Sequence, residues 1–249
     1  RELSGLFRDR CGELEANFDC LIRYDECYAV SQWATEYNCH FVTIGSSIHL
    51  KQARHPLLAA QFRAEEQSDV LVPLDLKMRP ETRVLAITGA NTGGKTVVLK
   101  TIGLLTLIAQ TGLPVPAAEG SEMCIFEDVL ADIGDEQSIS QNLSTFSAHL
   151  TNVSAIMRES ADHRSLVLLD ELGSGTDPVE GGALGCAIID FLSRTKAMTF
   201  VTTHLGLIKT YVHEQPLMES ASVQFNIETL QPEYALRIGN PGASRALTI

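Results

Sequence analysis

Between a short apolar run, Arg83-Val-Leu-Ala-Ile-Thr88, and a longer one, Val97 to Ala109, the chain reads Gly89-Ala90-Asn91-Thr92-Gly93-Gly94-Lys95-Thr96. The first run has the length of a buried strand and the second that of a helix. The chain must therefore turn from a strand into a helix N-terminus within these eight residues. Backbone N–H groups in such a turn point at one spot, and the helix dipole adds positive potential there. Glycines at this spacing with Lys-Thr after the second are the pattern of a phosphate-binding loop. Residues Gly89 to Val97 would line the ligand, Lys95 would reach the β- and γ-phosphates, and Thr96 would offer its hydroxyl to Mg²⁺. A glycine-rich turn without a ligand is the plainer alternative, and the flanking strand and helix speak against it.

A second run, Leu166-Val-Leu-Leu-Asp170-Glu171, is an apolar strand that stops on two carboxylates. Ligands of open α/β folds gather at the carboxyl edge of the sheet, where these side chains would stand. Asp170 would hold Mg²⁺ through water, and Glu171 would be the general base that orients the attacking water. With this pair beside the phosphate loop, hydrolysis of the nucleotide is expected as well as binding.

The bulk composition narrows the classes. A chain of 249 residues, 45% hydrophobic, is large enough for a substantial core. No apolar run approaches the roughly 18 residues of a membrane span. A formal charge of −12 excludes a broad basic surface for nucleic acid. Six cysteines, none in a Cys-x-x-Cys spacing, read as reduced thiols of an intracellular protein. The expected location is cytoplasmic, or organellar if the full-length protein carries a transit peptide. Starting at Arg1 and stopping at Ile249, the chain reads as a fragment.

Residues 1 to 40 carry Leu14, Phe18, Leu21, Ile22, Tyr28, Ala29 and Trp33 at helical spacing, with four basic against eight acidic residues. They are expected to form an amphipathic helix or helix pair packed on a core. From residue 41 the pattern alternates. Strands are expected at Phe41–Ile44, Ile48–Leu50, Val84–Thr88, Met123–Phe126, Leu166–Asp170, Thr199–Thr203 and Ser222–Asn226. Helices are expected at Lys95–Gln110, Phe146–Ser160, Val179–Arg194 and Leu205–Val212, with Arg63–Asp69 an exposed loop. Such alternation indicates an α/β sheet.

Two further segments carry chemistry. Leu143-Ser144-Thr145-Phe146-Ser147 precedes an expected helix, with hydroxyls suited to capping it or to binding an anion. Thr202-Thr203-His204 ends an apolar strand, where a histidine can sense a γ-phosphate.

Taken together, Gly89–Thr96, Leu143–Phe146, Asp170 to Asp177, and Thr203-His204 resemble in order and spacing the ATPase domain of the MutS family. Ala53-Arg-His55-Pro56 resembles the turn that enters that domain. The stretch Ala131–Ser138, with Ser147-Ala-His149, is most similar to the second MutS branch, whose members carry a C-terminal small MutS-related domain. His149 stands where mismatch-repair members have a glutamate.

The resemblance covers residues 42 to 249 and implies an α/β P-loop NTPase with an ABC-ATPase-like mixed sheet flanked by helices. Residues 1–40 would be a helical lever or core remnant, and residues 41–249 the ATPase domain. It implies a homodimer with composite ATP sites. Lys95, Thr96 and Asn91 would serve phosphate and Mg²⁺ in cis, and Ser144 would reach the γ-phosphate bound by the partner. Gln137 would lie near Mg²⁺, His204 would be the switch histidine, and Thr176 and Asp177 would run along the interface. Leu71 and Val72 are candidates for the adenine contact. Pro241-Gly-Ala-Ser244-Arg245-Ala246 resembles a stretch bordering the nucleotide, with Arg245 near phosphate.

The resemblance implies an ATP-driven clamp on branched DNA or recombination intermediates. A clamp on stalled ribosomes, and a dimerisation module without turnover, are the alternatives. An intact Glu171 argues against the last. An ABC transporter subunit would need Leu-Ser-Gly-Gly-Gln where this chain has Leu143-Ser-Thr-Phe-Ser147.

Overall fold

The structure is a computed structural model that describes residues 5, 7–8, 10–67, 70–89, 94–134, 142–226 and 231–239, with residues 142–146, 225–226 and 231–232 described by backbone alone. Among the described residues two sheets carry ten strands: β1 (Thr43–Ile44), β2 (His49–Ala53), β3 (Leu74–Lys77), β4 (Val84–Thr88), β5 (Glu122–Met123), β6 (Asp128–Asp132), β7 (Ser165–Leu169), β8 (Met198–Thr202), β9 (Met218–Asn226) and β10 (Gln231–Ile238). The helices are α1 (Cys11–Glu36), α2 (Pro56–Ala64), α3 (Lys95–Gln110), α4 (Asn142–Glu159), α5 (Pro178–Ser193) and α6 (Gly206–Glu214).

The larger sheet has the order β10-β9-β4-β8-β7-β6. Strands β9, β4, β8, β7 and β6 run parallel, and β10 returns antiparallel on the edge. The smaller sheet has the order β1-β5-β2-β3. It takes the strands expected near residues 41, 48 and 123, so one expected sheet is in fact two.

Alternation along β4 splits the core. Leu85 and Ile87 face α3, through Leu99, Ile102 and Leu105, and the small sheet, through Leu50, Leu76 and Met123. Val84 and Ala86 join Val153 and Ile156 of α4, Ile188, Ile189 and Leu192 of α5, and Ile208 and Val212 of α6. Each large aliphatic side chain so buried contributes roughly 1.5–3 kcal/mol. Both faces of the parallel strands are thus covered, and β4, β7 and β8 are buried at every position, mostly by apolar side chains, with Thr88, Ser165, Thr199 and Thr202 the polar exceptions.

Helix α1 corrects an expectation. It is one helix with no buried residue, and Phe18 and Leu21 are 69% and 63% exposed. Its apolar positions are not core, because no other described element lays an apolar face against them. Among the described residues, the contacts that anchor it lie at its C-terminal end. Trp33 Nε1 donates to the Pro114 carbonyl at 3.0 Å, and Arg63 pairs with Glu36 at 3.1 Å. Arg63 itself lies in α2 rather than in the expected loop.

The exposure of α1 separates the thiols into two groups. Cys11, Cys20 and Cys27 are exposed, whereas Cys124 is buried and Cys39 and Cys186 are half-buried. Burial pushes the Cys39 thiol up to about 11, and burial raises Cys124 and Cys186 as well. Since the thiolate is the reactive form, iodoacetamide at pH 8 should label the three α1 cysteines first. Peptide mass spectrometry over a time course checks this; early labelling of Cys39 would contradict it.

Candidate functional site at the carboxyl edge of the sheet

Strands β4, β8, β7 and β6 lie side by side and end at one edge. Asp170, the first residue past β7, is 6% exposed, yet both of its oxygens are engaged. Thr96 Oγ1, from the first turn of α3, donates to Asp170 Oδ2 at 2.7 Å. Thr202 Oγ1, from the end of β8, donates to Asp170 Oδ1 at 2.5 Å. The same Thr202 oxygen accepts the Glu171 N–H at 2.8 Å. Glu171 holds a φ of 49°, a left-handed backbone that a side-chain-bearing residue keeps only when its surroundings impose it. The Asp170 N–H donates to the Asp132 carbonyl of β6 at 2.9 Å. Two hydroxyls, the Asp170 carboxylate and three strand ends are therefore linked by hydrogen bonds, with Glu171 joined through its main-chain N–H.

Lys95 belongs to the same group. It is 3% exposed, and its Nζ donates to the Gly89 carbonyl at 2.9 Å. Burial pushes its ammonium below the usual lysine range, while the charges of Glu171 and Asp170 pull it back up. Gly94 caps α3 with φ 84°, and the Tyr234 ring lies 3.0 Å from where a Cβ there would sit. Glycine is needed at that point for both conformation and space.

Other expected site residues fall as follows. His204 is exposed just beyond β8, after the buried Thr203, whose hydroxyl donates to the Leu172 carbonyl at 3.1 Å. Asp177 caps α5, accepting the Val179 and Glu180 N–H groups at 2.9 and 3.2 Å. His55 caps α2 through Nδ1, which accepts the Leu58 N–H at 3.3 Å. Leu71 is half-buried and Val72 exposed, both just before β3 of the smaller sheet. Val97 is partly exposed on α3. Ser144 and Thr145 do not precede the helix as expected: their backbone lies inside the first turn of α4. Ala90, Asn91, Thr92, Gly93, Gln137 and the stretch Pro241–Ala246, with Ser244 and Arg245, lie outside the described residues.

Three residues at this edge were given no role of their own by the motifs. Thr202 was read only as part of a strand end, yet it binds both acidic residues. Lys209 on α6 lies near enough to Lys95 for their charges to oppose each other, and burial pushes its own ammonium down. Asp132 ends β6 and contacts His149 and Asn152 of α4.

Among known families, MutS domain V matches residues 85–246. The chain is 47% identical to a protein named endonuclease MutS2 from Caldicellulosiruptor bescii, over all of this chain and 31% of that protein. It is 45% identical to endonuclease MutS2 of Thermotoga maritima, over all of this chain and 32% of that protein. A third, from Fusobacterium nucleatum, is 49% identical over 89% of this chain and 28% of its own length. The chain thus spans about a third of the length of the relatives it matches. Matched by domain V over more than half its residues, and by MutS2 proteins over its whole length, the chain belongs to the MutS family and is of the MutS2 type.

Proposed function

We propose that this chain is a P-loop ATPase of the ABC-like type, binding ATP with Mg²⁺ at the carboxyl edge of the larger sheet and hydrolysing it as a homodimer. The observation that carries the reading is the direct contact of Thr96 with Asp170, tied through Thr202 to Glu171. A hydroxyl and a carboxylate already meeting at 2.7 Å supply the hard oxygen donors that Mg²⁺ takes. Thr96 and Asp170 would hold the ion, with Gln137 as a more distant partner. When bound, Mg²⁺ supplies charge neutralisation between the β- and γ-phosphates.

The remaining chemistry belongs to the protein's own groups. Lys95, whose ammonium is disfavoured by burial and favoured by the two neighbouring carboxylates, adds positive charge at the phosphates. The loop Gly89–Gly94 and Val97 surround the phosphates with backbone donors. Glu171 orients the attacking water and accepts its proton; the hydrogen bond from its N–H to Thr202 fixes the backbone from which it acts. His204, at the end of the strand between the two motifs, senses the γ-phosphate. Ser144 donates to the γ-phosphate of the partner subunit, which makes closure depend on ATP. Leu71 and Val72 remain candidates for adenine.

The clamp so formed is proposed to act on branched DNA. The word endonuclease in the relatives' names favours a nucleic-acid target over a ribosomal one. A net charge of −12 argues that the DNA is gripped by other parts of a full-length protein, with α1 as the lever that reports closure.

The test is the mass of a Glu171→Gln variant by analytical ultracentrifugation, with and without Mg-ATP. ATP trapped without hydrolysis should hold two chains together, and adding Lys95→Met should abolish the pairing. A variant that binds ATP and stays monomeric would overturn the composite site.

A further inference from the structure

Helix α4 is held to the sheet unevenly along its length. Its apolar anchors, Val153 and Ile156, sit in the core from the fourth turn onward. Before them, Ser147 and Ala148 are exposed. The first contact with the sheet is polar. His149 Nδ1 meets Asp132 Oδ2, with both side chains largely buried at 15% and 14% exposure. Asn152 Nδ2 donates to the other Asp132 oxygen at 3.2 Å. His149 and Asn152 are three residues apart and share a helix face, so Asp132 grips α4 at two points on that face.

Asp132 is also bonded toward the candidate site. Its main-chain carbonyl accepts the Asp170 N–H, and Asp170 in turn accepts the Thr96 and Thr202 hydroxyls. A continuous set of contacts therefore runs from α3 and β8, through Asp170 and Asp132, to α4. Five residues before His149, about 7.5 Å along the axis, stands the Ser144 position. Since 3.6 residues make a turn, that position lies roughly 140° around the helix from His149. The face gripped by Asp132 is thus turned well away from the one that carries Ser144.

We propose that His149 and Asp132 are positioning residues for Ser144: they hold the N-terminal turns of α4 in one register against the strand edge that carries Asp170. This rests on Ser144 acting on the partner's nucleotide. Loss of the His149 contact removes the earlier of the two points at which Asp132 holds α4 and leaves the Asn152 hydrogen bond, three residues further along the helix. The turns before Asn152 would then sample several placements, and a misplacement of about 1 Å at a reacting group costs on the order of 100-fold in rate. The effect falls on turnover and not on ATP affinity, because the cis phosphate loop is carried by α3 and not by α4.

The experiment compares Ser144→Ala, His149→Ala, His149→Asn and the double variant Ser144→Ala/His149→Ala in the full-length protein, measuring kcat and KM for ATP. His149→Ala should lower kcat at least about 10-fold with KM within about 3-fold. His149→Asn places an amide N–H where Nδ1 stood and should recover kcat to within about 3-fold of the unmodified protein. If His149 acts through Ser144, the double variant should be no slower than Ser144→Ala alone. The proposal is overturned if His149→Ala turns over normally, if the two losses multiply, or if His149→Asn gives no recovery. A wild-type protein without ATPase activity, or a Ser144→Ala variant with full activity, would instead overturn the functional reading beneath it.

Discussion

Lys95→Met is expected to reduce ATP turnover by on the order of 1,000-fold while leaving the fold intact. The ammonium is 3% exposed and is pushed below its usual range by burial. A cation kept in such a place costs desolvation energy that its hydrogen bond to Gly89 and its two neighbouring carboxylates offset. Methionine keeps the length of the apolar stem and removes the desolvation cost of the charge, while Asp170 keeps its two hydroxyl donors, so the fold is expected to survive the change. The phosphates, by contrast, lose the one lysine in the loop. Steady-state phosphate release and a thermal melt, run together, decide the matter. Loss of turnover with Tm within about 3 °C of wild type is the expected outcome. Turnover retained within about 10-fold would remove Lys95 from the proposed mechanism, and a collapse in Tm would make it a structural cation.

Gly173→Ala is expected to have the largest effect on stability among conservative changes near the site. Gly173 sits at φ +83°, two residues past Glu171, and an added Cβ would lie 2.5 Å from the Gly181 carbonyl oxygen. The left-handed backbone costs a side-chain-bearing residue about 1–2 kcal/mol. The overlap is with main chain at the start of α5, so relief requires the helix and the acidic turn to separate, at about 1–3 kcal/mol more. In a chain of this size that corresponds to a fall in Tm of roughly 5–15 °C. Gly112→Ala is the control, with a similar φ of +82° and no atom within 4 Å of the new Cβ. It should cost only the backbone term. Equal losses for the two variants would mean that the close approach of Gly173 and Gly181 is not a constraint.

Much of the secondary structure near the site was legible. Val84–Thr88 and Lys95–Gln110 fall at the residues read from hydrophobic pattern, because both elements are long or uniformly buried and the glycine segment punctuates them. The missed elements have physical reasons. Strand β6, Asp-Val-Leu-Ala-Asp, is an edge strand and only half-buried, so its sequence mixes polar and apolar residues. Strand β10 is also an edge, and there proline is tolerated at its second position. Pro56 read as part of a turn, but as the first residue of α2 it loses no helical hydrogen bond.

What the sequence by itself determined is local: a strand, a glycine turn and a helix in succession, and a second strand ending on Asp170-Glu171. Those follow from periodicity, backbone freedom and apolar length, which act between neighbours in the chain. Membership of the MutS family was likewise readable from motif order. What only the tertiary structure decided is which distant groups meet. Strand β8 lies between β4 and β7, so Thr202 binds Asp170 and orients Glu171. Parallel neighbours far apart in sequence bring Asp132 to Asp170 and set His149 on Asp132. The exposed stripe of α1 was decided there too, since burial depends on whether another surface arrives, and no helical spacing can encode that arrival.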